Sequence, residues 1–184
     1  MNADPNPGFV RDSEETLVSW RAWRLVQGGF ISPDGERFER SYVRSPGAVG
    51  IVAVSNGEVA LLRQYRPSLD RVFWEIPAGM RDKDGEDAID AARRELWEEV
   101  GASGGEWQLL AQLVQAPGLT DAAMTIFFAT GVTRGIATPE GPEERAMTVH
   151  WTPVDEALAM VDQGEIVNST AVVGLLSARH RTLI

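Results

Sequence analysis

Three glutamates could do chemistry together. Glu95, Glu98 and Glu99 fall at i, i+3 and i+4 inside residues 79–102, which read GMRDKDGEDAIDAARRELWEEVGA. On a helix that spacing gathers them into one acidic ridge. Like charges so placed repel, and the ridge weakens an isolated helix. A hard divalent cation taking oxygen ligands would turn that repulsion into binding. The competing reading is a solvated acidic face, which is what most such clusters are.

The helix that must carry the ridge is legible around it. Ile89, Ala92, Leu96 and Val100 recur with helical period and mark its core face. Gly101 supplies a C-terminal stop. A start near Gly85 or Glu86 puts Glu86, Asp87 and Asp90 in the first turns, where acids suit the dipole.

Strands surround this helix. Residues 17–45 read as a hairpin turning at Pro33-Asp34-Gly35, with Trp20 and Trp23 expected in the core or, less commonly, against a second subunit. The apolar run 49–54 and residues 59–62 flank Asn56-Gly57, a strong hairpin turn. Residues 73–76 form a short strand before Pro77-Ala78-Gly79. Residues 107–114, 125–129 and 147–151 read as strands, and residues 131–145 as a long surface loop. A helix is expected from Thr152-Pro153 to about Gln163, with Pro153 at its first position. A last helix, 170–180, is capped by Asn168 or Ser169. The order of elements predicts an α/β (α+β mixed) fold, a mixed sheet covered by helices.

Composition narrows the class. The chain has 184 residues, enough for one domain with a real core. A net charge of −10 argues against nucleic acid or an anionic membrane as partner. No cysteine is present, which excludes thiolate metal sites, and His150 and His180 are the only histidines, which argues against a multi-histidine site. No run reaches transmembrane length. Residues 1–16 are polar, lack a signal-peptide layout, and read as a flexible leader to a cytoplasmic protein.

Glu86, seven residues, then Arg94-Glu95-Leu96-Trp97-Glu98-Glu99-Val100-Gly101 resembles the signature of the Nudix hydrolase family. The chain departs from that signature in two places: Ala102 is a weak fit to the closing apolar position, and six residues, not five, separate Gly79 from Glu86. The flanks Glu75-Ile76-Pro77-Ala78-Gly79, Pro117, residues 45–49 and residues 164–168 resemble the ADP-ribose pyrophosphatase branch. The similarity runs from about residue 20 to residue 178. It implies a Nudix-like α/β/α sandwich over residues 46–184, with an antiparallel β extension at residues 17–45 that serves a homodimer.

The resemblance also implies a reaction and its residues. The reaction is hydrolysis of ADP-ribose to AMP and ribose 5-phosphate with Mg2+, for which Mn2+ substitutes. Glu95 and Glu99 are the first metal ligands, with Glu98 sharing and the Ala78 carbonyl added. Arg94 and Glu86 orient charge. The general base is Glu143, with Glu144 as runner-up, in the late loop. Arg66 and Arg40 are the substrate arginines, suited to phosphate by their planar forks. Trp20, Trp23, Phe30 or Trp74 stacks on the base. The rivals are a Nudix enzyme for a sugar nucleotide, a non-catalytic nucleotide sensor, and a purely structural acidic domain.

Overall fold

The computed structural model describes residues 6–138 and 141–184, the Glu143 side chain excepted. The chain divides into two compact units, residues 1–47 with 112–123, and residues 48–111 with 124–184.

The first unit is built on a three-stranded antiparallel sheet of β1 (Val10–Trp20), β2 (Trp23–Ile31) and β3 (Arg37–Arg44). The expected hairpin is therefore one strand short. Trp20 pairs with Trp23 across a tight turn at Arg21, which takes a left-handed φ of 49°. Neither residue of that turn is a usual turn former, so the alternating run reads as unbroken. β1 also takes in residues 10–16, read above as leader; residues 1–5 lie outside the described residues. Trp20 is 47% exposed in the single chain, against the expectation of core burial, and Trp23 is half-buried. One charge network ties the unit together. Glu14 accepts from Tyr42 Oη at 2.5 Å and Arg44 Nη2 at 2.5 Å, and Arg44 Nη1 reaches Asp121 at 2.7 Å. The bond from Arg44, then that from Tyr42, lowers the Glu14 pKa to about 2.

The second unit is organised by a seven-stranded mixed sheet. Its strands are β4 (Ala48–Ser55), β5 (Glu58–Arg66), β6 (Arg71–Glu75), β7 (Ala78–Met80), β8 (Glu106–Val114), β9 (Ala123–Thr130) and β10 (Thr148–Pro153). The order is β10-β5-β4-β9-β8, with β6 on β5 and β7 on β4. β4 and β9 run parallel; β4 with β7, and β5 with β6 and β10, are antiparallel.

Helices cover both faces. On one side Val49, Ile51 and Ala53 pack with Ala91, Ala92, Leu96 and Val100 of α1 (Ala88–Val100). On the other, α4 (Ser169–His180) lies against Gly50 and Val52, for a β-carbon on Gly50 would strike Thr170 and one on Gly174 would strike Val52. Two-sided burial explains why residues 49–54 are uniformly apolar. The α/β/α sandwich with a mixed sheet is thus as expected. Asn168 caps α4, its side chain accepting from the Ala171 amide at 3.1 Å.

Three boundaries move. α1 begins at Ala88 with Asp87 as its cap, so Glu86 precedes the helix rather than filling its first turn. Pro153 ends β10 and caps α3 (Val154–Asp162), one position before the expected role. The late loop contains one helical turn, α2 (Pro142–Arg145). Among the described residues no helix is long and apolar enough to cross a membrane.

Candidate active site

β7 and α1 build the site between them. Arg94 is its hub. Its Nε and Nη2 grip Glu86 at 2.9 and 3.0 Å, and Nη2 also reaches the Met80 carbonyl at 3.4 Å. Its Nη1 donates to Glu95 at 2.6 Å and Glu98 at 3.0 Å. One guanidinium therefore orders two ridge carboxylates and pins Glu86, which reaches it from the loop before the helix. These bonds, that to Glu86 first, raise the Arg94 pKa, and the same bond lowers that of Glu86.

Gly79 seats Glu95. A β-carbon at position 79 would overlap the Glu95 carboxylate. The extra residue before Glu86 therefore leaves Gly79 against the ridge and is absorbed in the loop beyond it.

Glu99 is 5% exposed and accepts from the Ala78 amide at 2.8 Å. Burial pushes its pKa well above the usual carboxylate range; the Ala78 amide opposes the shift, and the charges of Glu95 and Glu144 add to it. Glu95 is raised chiefly by burial, against the pull of Arg94, with Glu98 and Glu144 adding to the rise. Glu144, half-buried on α2, is thus close enough for its charge to act on both ligand candidates. The Glu143 side chain lies outside the described residues.

Arg66 ends β5. Its Nε and Nη2 take both oxygens of Glu75, at 2.9 and 2.5 Å. Glu75 is buried and was not singled out from sequence. Its partner lies nine residues away across the β5–β6 hairpin, a pairing that no periodicity announces. The register sets Arg66 opposite Arg71 and Glu75 opposite Leu62, so the two meet through the length of the Arg66 side chain and not as cross-strand neighbours.

The remaining candidates belong to other strands. Arg40 lies on β3 in the first unit, donating to the Glu39 carbonyl, with its guanidinium 4.9 Å from the Phe38 ring centre. Phe30 stacks on Phe38 at 5.5 Å. Trp74 carries Arg63 over its face at 5.1 Å and His150 against it at 4.9 Å.

The donor set suits a hard divalent cation: carboxylates and a backbone carbonyl, all oxygen. Burial and mutual repulsion disfavour ionised Glu95 and Glu99, and a cation would reverse both effects. Among the described residues no three acidic or histidine side chains already surround one point. Arg94 holds Glu95 and Glu98, while Glu99 turns to the Ala78 amide. The residues fit the ion; their side chains are held by protein donors.

Comparisons with known proteins identify the family. The NUDIX domain matches residues 44–170. An ADP-ribose pyrophosphatase of Mycobacterium tuberculosis is 41% identical over 176 residues, covering 95% of this chain and 84% of that protein. A methanol dehydrogenase activator of Bacillus methanolicus is 30% identical over 162 residues, covering 88% of this chain and 87% of its own. A crystal structure of an ADP compounds hydrolase superposes with a TM-score of 0.82 at 22% identity, over 98% of this chain and 97% of that one; it speaks to the fold. A domain match from the end of β3 to the start of α4, joined to a relative alike over nearly the whole length, means that the chain belongs to the Nudix hydrolase family.

Proposed function

We propose that the protein hydrolyses the pyrophosphate bond of ADP-ribose, giving AMP and ribose 5-phosphate. The observation that carries this is the ridge, Glu95 seated on Gly79 and Glu99 held at the Ala78 amide. The relative named for ADP-ribose supports the substrate. Glu95, Glu98, Glu99 and the Ala78 carbonyl would hold Mg2+ or Mn2+. Such an ion, when bound, neutralises phosphate charge and acidifies water.

The chain's own groups do the rest. Arg94 keeps the ridge aligned. Glu143 takes the proton of the attacking water, with Glu144, whose charge acts on Glu95 and Glu99, the alternative base. The water oxygen bonds to phosphorus as the bridging oxygen leaves. Arg66 contacts the phosphates, and Arg40 does so for a neighbouring subunit. The proposed assembly is a homodimer joined through the β1–β3 sheet, where Val10, Leu17, Val18 and Trp20 are exposed. The proposed setting is the cytoplasm, which a chain without cysteine suits.

A second reading is a different nucleoside diphosphate derivative, such as a sugar nucleotide. The groups named above address phosphate and metal rather than the base, and one relative carries a different name. The test is product identification with ADP-ribose, sugar nucleotides and nucleoside triphosphates in Mg2+ and Mn2+. AMP and ribose 5-phosphate formed fastest from ADP-ribose supports the proposal. A faster sugar nucleotide moves the substrate, and binding without turnover makes the protein a sensor. Light scattering tests the dimer: a mass of one chain removes it.

A further inference from the structure

The last turn of α1 carries Glu98 and Glu99, and Gly101 closes it. The start of the late loop lies over that turn. Ser103 and Thr133 exchange both backbone bonds, at 3.0 and 2.8 Å. Further on, the Thr138 amide donates to the Glu98 carbonyl at 3.0 Å. That carbonyl is among the last of the helix, which a helix end leaves without an internal partner. Between these two anchors the backbones touch. A β-carbon at Gly135 would strike the Gly101 carbonyl oxygen, and one at Gly101 would strike the backbone of Ile136 and Ala137. Gly101 also takes a left-handed φ of 70°, whereas Gly135 does not, so only the close approach demands glycine at position 135. Side chains add little here, for Ile136 is 86% exposed. The far end of the loop is fixed as well: Thr148 opens β10 opposite Arg63 of β5, and α2, which bears both late acids, packs on β5. Glu143 follows Thr138 by five residues, a reach of at most about 18 Å.

We propose that Gly135 and Thr138 are positioning residues: they clamp the late loop to the last turn of α1 and so set where its acids stand over the ridge. Glu98 gives its carbonyl to the clamp and its carboxylate to the ridge, so loop and ridge are placed from one residue. The inference rests on the reading that the general base lies in the late loop.

The test is a double-mutant cycle in ADP-ribose hydrolysis. G135A keeps an allowed backbone and pushes the loop off Gly101. T138P removes the amide that the Glu98 carbonyl accepts from. Each is made in wild type and in the slower of E143Q and E144Q. In wild type each should lower kcat about 10–100-fold, the scale of a small misplacement of a catalytic group. KM should stay within about twofold, and so should Mn2+ affinity, read without substrate by electron paramagnetic resonance. In the variant without the base the same substitutions should cost less than about twofold, because no base remains to be misplaced. A merely structural clamp predicts the same factor in both backgrounds. Equal factors, an unchanged kcat in wild type, or Mn2+ affinity that falls together with kcat overturns the proposal. Far-UV circular dichroism checks folding, and should T138P not fold, G135A carries the whole cycle. Full activity in both E143Q and E144Q instead removes the late-loop base and leaves a distinct signature.

Discussion

Gly79 and Glu95 share one space: the carboxylate of Glu95 occupies the volume that a side chain at position 79 would need. The backbone of Gly79 is not left-handed, so the requirement for glycine is steric and not conformational. Gly79→Ala should therefore fold normally and displace Glu95. Activity should fall about 10–100-fold, the usual cost of disturbing the support of a metal ligand. Steady-state kinetics and a Mg2+ titration check it; unchanged values would mean that Glu95 has another seat.

Glu99→Gln should lower turnover by more than about 100-fold, beyond the loss of a supporting partner. Its stability should move the other way. Burial raises the Glu99 pKa, so the native state holds its proton more tightly than the unfolded chain, and stability falls as pH rises. In EDTA at neutral pH the glutamine variant should melt at or above wild type. Added Mg2+ should raise the wild-type melting temperature and leave the variant where it is.

The two late-loop acids separate by substitution. Glu143→Gln should slow turnover by about 10²–10⁴-fold, the range for loss of a general base, with Glu144→Gln milder. The reverse ranking of the two rates, measured under saturating metal, would move the base to Glu144.

Acid should loosen the first unit through Glu14. Its folded pKa of about 2 lies below the ordinary value of 4.5. The stability it contributes is fully present above the ordinary value and is lost as pH falls from there through the folded one. Melting curves of wild type and Glu14→Gln should thus differ by a constant amount at neutral pH and converge in acid. A gap that persists at pH ~2 would mean that charge is not what Glu14 contributes.

Periodicity carried much of this structure into the sequence. Ile89, Ala92, Leu96 and Val100 mark α1 because burial repeats every helical turn, and Glu95, Glu98 and Glu99 follow from the same spacing. The uniform run 49–54 marked a buried strand. What stayed hidden is set by contacts between distant residues. Glu86 reads as helical because its type suits a first turn, yet it serves the helix from outside through Arg94. The turn at Arg21 relies on a left-handed non-glycine, which no residue preference signals. Glu75 looks like any strand-end acid until the Arg66 side chain is seen to reach it from the far end of the β5–β6 hairpin.

The loop between β7 and α1 is fastened twice. Gly79 is set by Glu95, and Glu86 by Arg94, and both fasteners belong to the same helix. Residues 80–85 therefore span two fixed posts. Both fasteners hold with six residues between Gly79 and Glu86. Helix α1 is in this sense insulated from indels next to it. The segment that borders the chemistry is free to drift in length and sequence, a place where a lineage can try new substrate contacts while the reaction itself stays intact.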